Sequence, residues 1–245
     1  MGSMGASDSV ILTYHSLDDS GSPISMRPGT FRKHMDLLAA SGVAVAPLER
    51  VARTPGAVAI TFDDGFRNFL EHALPVLTAH RFPATVFVVT GYCGKNNGWP
   101  SQPAGIPRMD LMDWKDLRGI REAGIELGAH SVCHEFLTRL PAARVSEELS
   151  RAKEEIENRS GALVRSFAYP YGAVNETVKR LAAQHYSLAC TTQLRFCGIS
   201  DDPLTLPRID AWYLKNPLLF SNLHKTPVRA YLALRRWVRE AVSNY

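Results

Sequence analysis

Val58-Ala59-Ile60-Thr61-Phe62-Asp63-Asp64-Gly65 is the stretch on which the reading of the whole chain turns. The apolar run from Ala57 to Ile60 has the character of a buried strand, and Gly65 marks where the chain turns out of a sheet. Two adjacent carboxylates at the end of such a strand repel each other. Each costs free energy to bury unless a cation or hydrogen bonds compensate it. Asp-Asp-Gly is also common chemistry for a solvated turn, so this stretch alone leaves both readings open.

Gly128-Ala129-His130-Ser131-Val132-Cys133-His134 shifts the balance toward chemistry. It too follows a strand-like run, Gly124 to Leu127, and it places two histidines at i and i+4. That spacing puts both imidazoles on one face of a helical turn, within reach of one metal ion. A carboxylate pair and a histidine pair at two strand ends suit a divalent transition metal with positions left for water and substrate. Cys133 lies between the histidines, and simple packing accounts for it better than thiolate ligation.

These residues resemble a known family, the polysaccharide deacetylases (carbohydrate esterase family four, the NodB-homology domain). Thr61-Phe62-Asp63-Asp64-Gly65 matches the first motif of that family, and His130-Ser131-Val132-Cys133-His134 matches the second. Phe167-Ala168-Tyr169-Pro170-Tyr171-Gly172 is similar to a variant form of the third. The resemblance implies an α/β fold, a distorted, incomplete (β/α)7-type barrel. It also implies Asp64, His130 and His134 as metal ligands, Asp63 as general base, and a backbone N–H near Tyr171 as an oxyanion donor. Zinc is the first expectation for the metal; cobalt or nickel would fit the same ligands. Ser131 reads as holding its turn by a hydrogen bond rather than as a nucleophile.

Two parts of the family pattern are displaced. The third-motif arginine that orients the base falls on Ala168, with Arg165 and Arg208 as candidate replacements. The general acid of most members is a histidine in a Leu-x-His motif near the C-terminus. The late histidine here, His224 in Ser221-Asn222-Leu223-His224, lacks that leucine. His15, which ends Leu12-Thr13-Tyr14-His15, is the preferred acid. It resembles the Tyr-His motif of a circularly permuted branch that acts on poly-N-acetylglucosamine; a structural strand cap is the alternative. Asp210 is a loose candidate for the acid's carboxylate partner.

Strand and helix patterns alternate along the 245 residues, which favours a parallel sheet with polar strand ends gathered on one face. Strands are expected at 8–14, 84–89, 124–129, 166–169, 187–192 and 204–209. Helices are expected from an N-cap at Thr30 to Gly42, over 69–80 despite Pro75, over 113–123, from Ser146 to Asn158 and over 175–185. The charge run of the Ser146 helix reads as a solvated face. Residues 91–108, rich in Gly, Asn and Pro, form a long loop placed to wall a groove. Trp99 and Tyr171 are candidates for stacking on a sugar ring, with a core role open for each. Residues 228–242 read as a basic helix, with Leu232, Ala233, Leu234, Trp237 and Val238 beside Arg229, Arg235, Arg236 and Arg239. Such a helix can lie on a membrane or grip an anionic partner, but packing on the barrel with the arginines in water is preferred.

The composition is that of a soluble globular enzyme, with 45% hydrophobic and 21% charged residues, and the net charge of +4 does not point to nucleic acid. The four cysteines show no Cys-x-x-Cys pair or disulfide framework. No run reaches the eighteen apolar residues of a membrane span, and no signal peptide is visible, so the cytoplasm is the expected compartment for the sequence as it stands, with a removed leader as the alternative. Met1-Gly2-Ser3 reads as a cloning scar and 4–245 as a single catalytic domain. The expected activity is metal-dependent hydrolysis of the acetamido group of an N-acetylated amino sugar in an oligo- or polysaccharide. The alternatives are a same-fold hydrolase of a small amide, an O-acetyl ester or a lipid-linked sugar, and a catalytically weak carbohydrate-binding protein.

Overall fold

The run ending at Asp63 is strand β4 (Val58–Phe62), buried over its whole length. It is preceded by β1 (Val10–Tyr14), β2 (Ser16–Leu17) and β3 (Ser25–Met26). It is followed by β5 (Thr85–Val88), β6 (Glu126–Ala129), β7 (Ser166–Ala168), β8 (Leu188–Cys190) and β9 (Ile209–Asp210). The computed structural model describes residues 8–243, so the expected scar at 1–3 lies outside the described residues. Seven strands pair in the order β8-β7-β6-β5-β4-β1-β9, and every pairing is parallel. The sheet curls into a distorted barrel. Its seam is made by the segment entering β9: Leu206 bridges in parallel to Cys190 of β8, and Ile209 and Asp210 pair with Leu12 and Thr13 of β1.

Strand alternation divides the core in two. Ile11, Ala59, Phe87, Ala168, Cys190 and Leu206 fill the barrel interior, closed from below by Leu48 and Val51 of helix α2 (Leu48–Val51). Val10, Leu12, Val58, Ile60, Phe62, Val86 and Val88 face outward into the layer shared with the surrounding helices. The interior is tight at Gly128, where a Cβ would lie 2.5 Å from the Phe87 ring and 2.7 Å from Ser166 Oγ. The same alternation puts Asp63 in phase with Ala59, and Arg208 in phase with Leu206, on the inner face.

The outer layer comprises α1 (Pro28–Ser41), α3 (Phe69–His72), α4 (Leu74–His80), α5 (Trp114–Glu122), α6 (Ala142–Ser160), α7 (Glu176–Ala182), α8 (Pro217–Ser221) and α9 (Thr226–Ser243). Several boundaries differ from expectation, each for a local reason. α1 begins at Pro28 rather than after Thr30, because the fixed φ of proline suits the first turn; Gly42, at φ 69°, ends it as expected. The helix expected over 69–80 breaks at Ala73 and restarts at Leu74. Pro75 has no N–H for the preceding turn and fits only in the first turn of a new helix. α6 starts after Pro141, so Ser146 lies inside the helix and caps nothing. The strand expected at 204–209 is reduced to β9 because Leu206 turns to bridge β8.

α9 packs on the barrel as expected, through the buried Val228 and Leu232. Its arginines are not simply in water. Arg229 pairs with Asp8 and lies 4.0 Å from the Phe196 ring centroid, and Arg239 donates to the Thr192 carbonyl at 3.2 Å. All four cysteines are free thiols. Among the described residues no helix is long and apolar enough to cross a membrane.

His34 of α1 is fully buried, stacked on Phe220 at 3.8 Å between ring centroids. Its Nε2–H donates to the Leu214 carbonyl at 3.1 Å, and its Nδ1 accepts from the Tyr14 hydroxyl at 2.9 Å. Burial, only partly opposed by the Leu214 carbonyl, lowers its pKa from 6.5 to about 4. The folded chain therefore keeps this imidazole neutral while the unfolded chain protonates it. The associated stability is present above pH 6.5 and is lost as the pH falls toward 4. A shift of this size corresponds to about 3 kcal/mol. Urea unfolding of a His34→Gln variant is expected to show a correspondingly flatter loss of stability over that range; an unchanged slope would remove His34 as its source.

Candidate active site

Register brings the chemistry together. Tyr14 sits opposite Phe62 in the β1–β4 ladder, so His15 and Asp63 emerge side by side, with His15 Nε2 3.8 Å from Asp63 Oδ2. Val88 sits opposite Ala129, and Ala129 opposite Phe167. His130 therefore emerges beside Ala168, and its Nδ1–H donates to the Ala168 carbonyl at 2.7 Å. That bond fixes the tautomer and leaves the Nε2 lone pair facing the site.

Three ligand atoms converge there. His130 Nε2 and His134 Nε2 are 3.2 Å apart, and they lie 3.5 and 3.3 Å from Asp64 Oδ1. Tetrahedral ligation at zinc-type bond lengths sets ligand atoms about 3.3 Å apart. Asp64 Oδ1 is buried without a hydrogen-bond donor. Burial raises the Asp64 carboxyl above its usual range, against the pull of His15 and His130. A cation is the compensation such a carboxylate needs, and Asp64, His130 and His134 together could hold one.

The histidine pair is not on a helical turn, as its spacing implied. Residues 130–134 are irregular, with Ser131 at φ 63° and His134 at φ 54°. Ser131 holds the turn as expected, its Oγ accepting the His134 N–H at 2.9 Å. The second anchor is Glu148 of α6, which the charge run had placed in solvent. Glu148 is 2% exposed, and its Oε2 accepts the N–H groups of Val132 at 2.8 Å and Cys133 at 2.9 Å. Burial first, then this carboxylate, pushes the Cys133 thiol up to about 11, and its sulfur is not among the atoms that converge with Asp64, His130 and His134.

The 91–108 loop walls the site, as expected. Trp99 is 2% exposed and packs on His134 with ring centroids 4.3 Å apart, so it is a wall rather than an open sugar platform. Ser101 Oγ donates to the His134 carbonyl at 2.6 Å, and the Tyr171 hydroxyl donates to the Ser101 carbonyl at 2.8 Å. Tyr171 has a left-handed backbone at φ 59°. Its ring stacks on Phe136 at 4.0 Å and meets His134 edge-on at 4.7 Å.

The polysaccharide deacetylase model matches residues 50–187, more than half of the 245-residue chain. The chain belongs to the polysaccharide deacetylase family. It is 27% identical to YxkH of Bacillus subtilis over 192 residues, covering 75% of this chain and 64% of that protein. It is 25% identical to a poly-beta-1,6-N-acetyl-D-glucosamine N-deacetylase of Staphylococcus aureus over 128 residues, covering 48% of this chain and 41% of that enzyme. The chain thus spans less than two thirds of either relative. The fold is that of IcaB from Ammonifex degensii, at a TM-score of 0.73 and 23% identity, with 84% of this chain and 94% of IcaB covered. It is equally that of the Streptococcus pyogenes deacetylase PplD in complex with acetate, at a TM-score of 0.72 and 22% identity, with 83% and 92% covered.

Of the two arginines left open by Ala168, the one that reaches Asp63 is Arg208. Arg208, itself 2% exposed, grips Asp63 through Nη1–Oδ1 at 2.6 Å and Nη2–Oδ2 at 2.7 Å. Its Nε–H donates to the Thr191 carbonyl at 3.0 Å. Burial alone would raise the Asp63 carboxyl, but the guanidinium overrides it and holds the carboxyl well below the usual range. Arg165 is at the other end of β7, 61% exposed and 3.6 Å from Glu49. His224 lines a cleft with Leu37, Leu38 and Phe220, outside the barrel. His15 and Asp210 line one small cleft at the barrel mouth, and the Asp210 carboxylate also accepts the Trp212 N–H at 2.9 Å.

Two substitutions test these supports. Arg208→Met leaves Asp63 buried without its partner and is expected to cost about 3–5 kcal/mol in denaturant unfolding. Glu148→Ala strands two N–H groups and is expected to cost about 1–3 kcal/mol and to weaken the hold of Asp64, His130 and His134 on an added divalent metal, read by competition with a chelator. Glu148→Gln, which keeps an acceptor oxygen, should recover most of both.

Proposed function

We propose that the chain removes acetyl groups from N-acetylated amino sugars, of the N-acetylglucosamine type, in an oligo- or polysaccharide. The observation that carries this reading is the adjacency of two differently treated carboxylates at one strand end. Asp64 points an unpaired oxygen at two imidazole nitrogens, while Asp63 is held ionised by Arg208. The name of the staphylococcal relative supports the substrate class.

A divalent metal, with zinc the first expectation, would be held by Asp64, His130 and His134 and would supply Lewis acidity to the scissile carbonyl and make the attacking water more acidic. The chain does the rest. Asp63 accepts the proton of that water; each of its oxygens takes one guanidinium N–H and keeps a second lone pair. Arg208 fixes the carboxylate plane, so the base is aimed without a conformational search. The backbone N–H of Tyr171 donates to the oxyanion that forms as oxygen adds to the carbonyl carbon. His15, with its Nε2 3.8 Å from Asp63 Oδ2, gives a proton to the amine as the C–N bond breaks, with Asp210 as its carboxylate neighbour. The products are acetate and the free amino sugar.

The test is metal content by elemental analysis together with acetate release from N-acetylglucosamine oligomers. One equivalent of metal and chelator-sensitive release are expected; metal without release would move the substrate to another acylated compound. Asp63→Asn is expected to retain metal and lose about 10²–10⁴-fold in kcat. His15→Ala should retain metal and lower kcat more than it raises KM. Full turnover in either variant would remove that residue from its role.

A further inference from the structure

The C-terminal helix carries two apolar stripes, and the barrel uses only one of them. Val228 and Leu232 are buried against the barrel. On that side Arg229 and Arg239 are also tied down, as described above, and the Tyr231 hydroxyl donates to the Tyr213 carbonyl at 3.3 Å. The opposite face is made of Ala230, Ala233, Leu234, Trp237, Val238 and Ala241, spaced i, i+3, i+4, i+7, i+8, i+11, and all six are exposed. The three large side chains keep 59% (Leu234), 66% (Trp237) and 39% (Val238) of their surface in solvent. Residues at this spacing share one side of a helix, so the stripe is continuous, and no charged residue interrupts it. It is the reverse of a surface helix, whose outward face is ordinarily polar.

Charge says what fits there. The stripe is flanked by Arg236 on one side and by Arg235 on the other, whose guanidinium carbon lies 5.3 Å from the Tyr213 ring centroid, while Arg229 stays paired with Asp8. Glu240, the helix's one acid, is 3.8 Å from Arg236. A two-fold pairing of this face would bring each copy's arginines against the other's, with no free acid between them. An apolar ridge centred on a tryptophan and edged by arginines instead matches the boundary of an anionic bilayer. There the indole and leucine enter the acyl region while guanidinium groups meet lipid phosphates. We infer that α9 is a membrane-docking helix that lies in the surface of an anionic lipid bilayer through Leu234, Trp237 and Val238. Docking leaves the barrel intact, because the embedded residues make no part of its core.

Vesicle flotation of the full chain tests this. Vesicles of phosphatidylcholine alone are compared with an equal mixture of phosphatidylcholine and phosphatidylglycerol. Binding to the anionic vesicles is expected, weaker in high salt and about tenfold or more above that to the neutral ones. A Leu234→Ser, Trp237→Ser double variant should lose that binding with its melting temperature unchanged, since both side chains are exposed. Equal binding to both vesicles, or binding that survives the double substitution, would overturn the inference. So would a dimer in sedimentation that the double substitution dissociates, which would assign the stripe to a second copy of the chain.

Discussion

A guanidinium and a carboxylate sealed inside a barrel are the constraint to which the rest of this structure answers. Asp63 ends a strand in phase with the interior, where an isolated carboxylate costs several kcal/mol and would take up a proton instead. Arg208 supplies the opposing charge in a two-pronged grip, and two of its three remaining donors go to the Thr191 carbonyl and Thr61 Oγ1. The Phe87 ring lies 5.5 Å from the guanidinium carbon, and Gly128 leaves room for that ring. The small and aromatic residues of the interior are thus shaped around a charge pair. What that pair leaves over is a division of labour: one aspartate with its charge matched, its neighbour with an oxygen unmet.

The signals readable from sequence were those in which local residues do local work. An apolar run closed by Asp-Asp-Gly, and another closed by two histidines, state their burial and their donors without help from the rest of the chain. The alternating pattern likewise carried the parallel sheet and the position of the site at its carboxyl face. The spacing of His130 and His134 picked out two side chains that do meet, but not by way of the helical turn it implied. Their side chains meet through left-handed turns at Ser131 and His134, conformations that those residue types do not advertise.

The partners supplied from afar were hidden. Glu148 sits in a run of charged residues and looks like one more solvated side chain. Only the packing of α6 against the strand ends turns it inward to the two N–H groups it receives. Arg208 was one of two arginines that could stand in for the residue missing at Ala168, and nothing in the order of residues separates them. Strand parity does: Arg208 is two residues beyond the interior Leu206, while Arg165 precedes its strand at the opposite end. The aromatic wall shows the same limit. Trp99 was legible as an aromatic in a long loop, but its burial over His134 depends on Ser101 joining that loop to both His134 and Tyr171.

The seam of the barrel carries a consequence for how the molecule is made. Asp63 and Arg208 are separated by 145 positions, and the segment bearing Arg208 joins β8 to β1. Most of the sheet can assemble, strand by strand, before that segment arrives, and until then the Asp63 carboxylate has no counter-charge inside. Closing so long a loop is slow, and it is repaid only when the distant strands pair. The contact made across that seam is the Arg208–Asp63 pair, so a chain with the other strands paired would still lack it. Closure of the barrel and assembly of the site thus depend on one and the same segment.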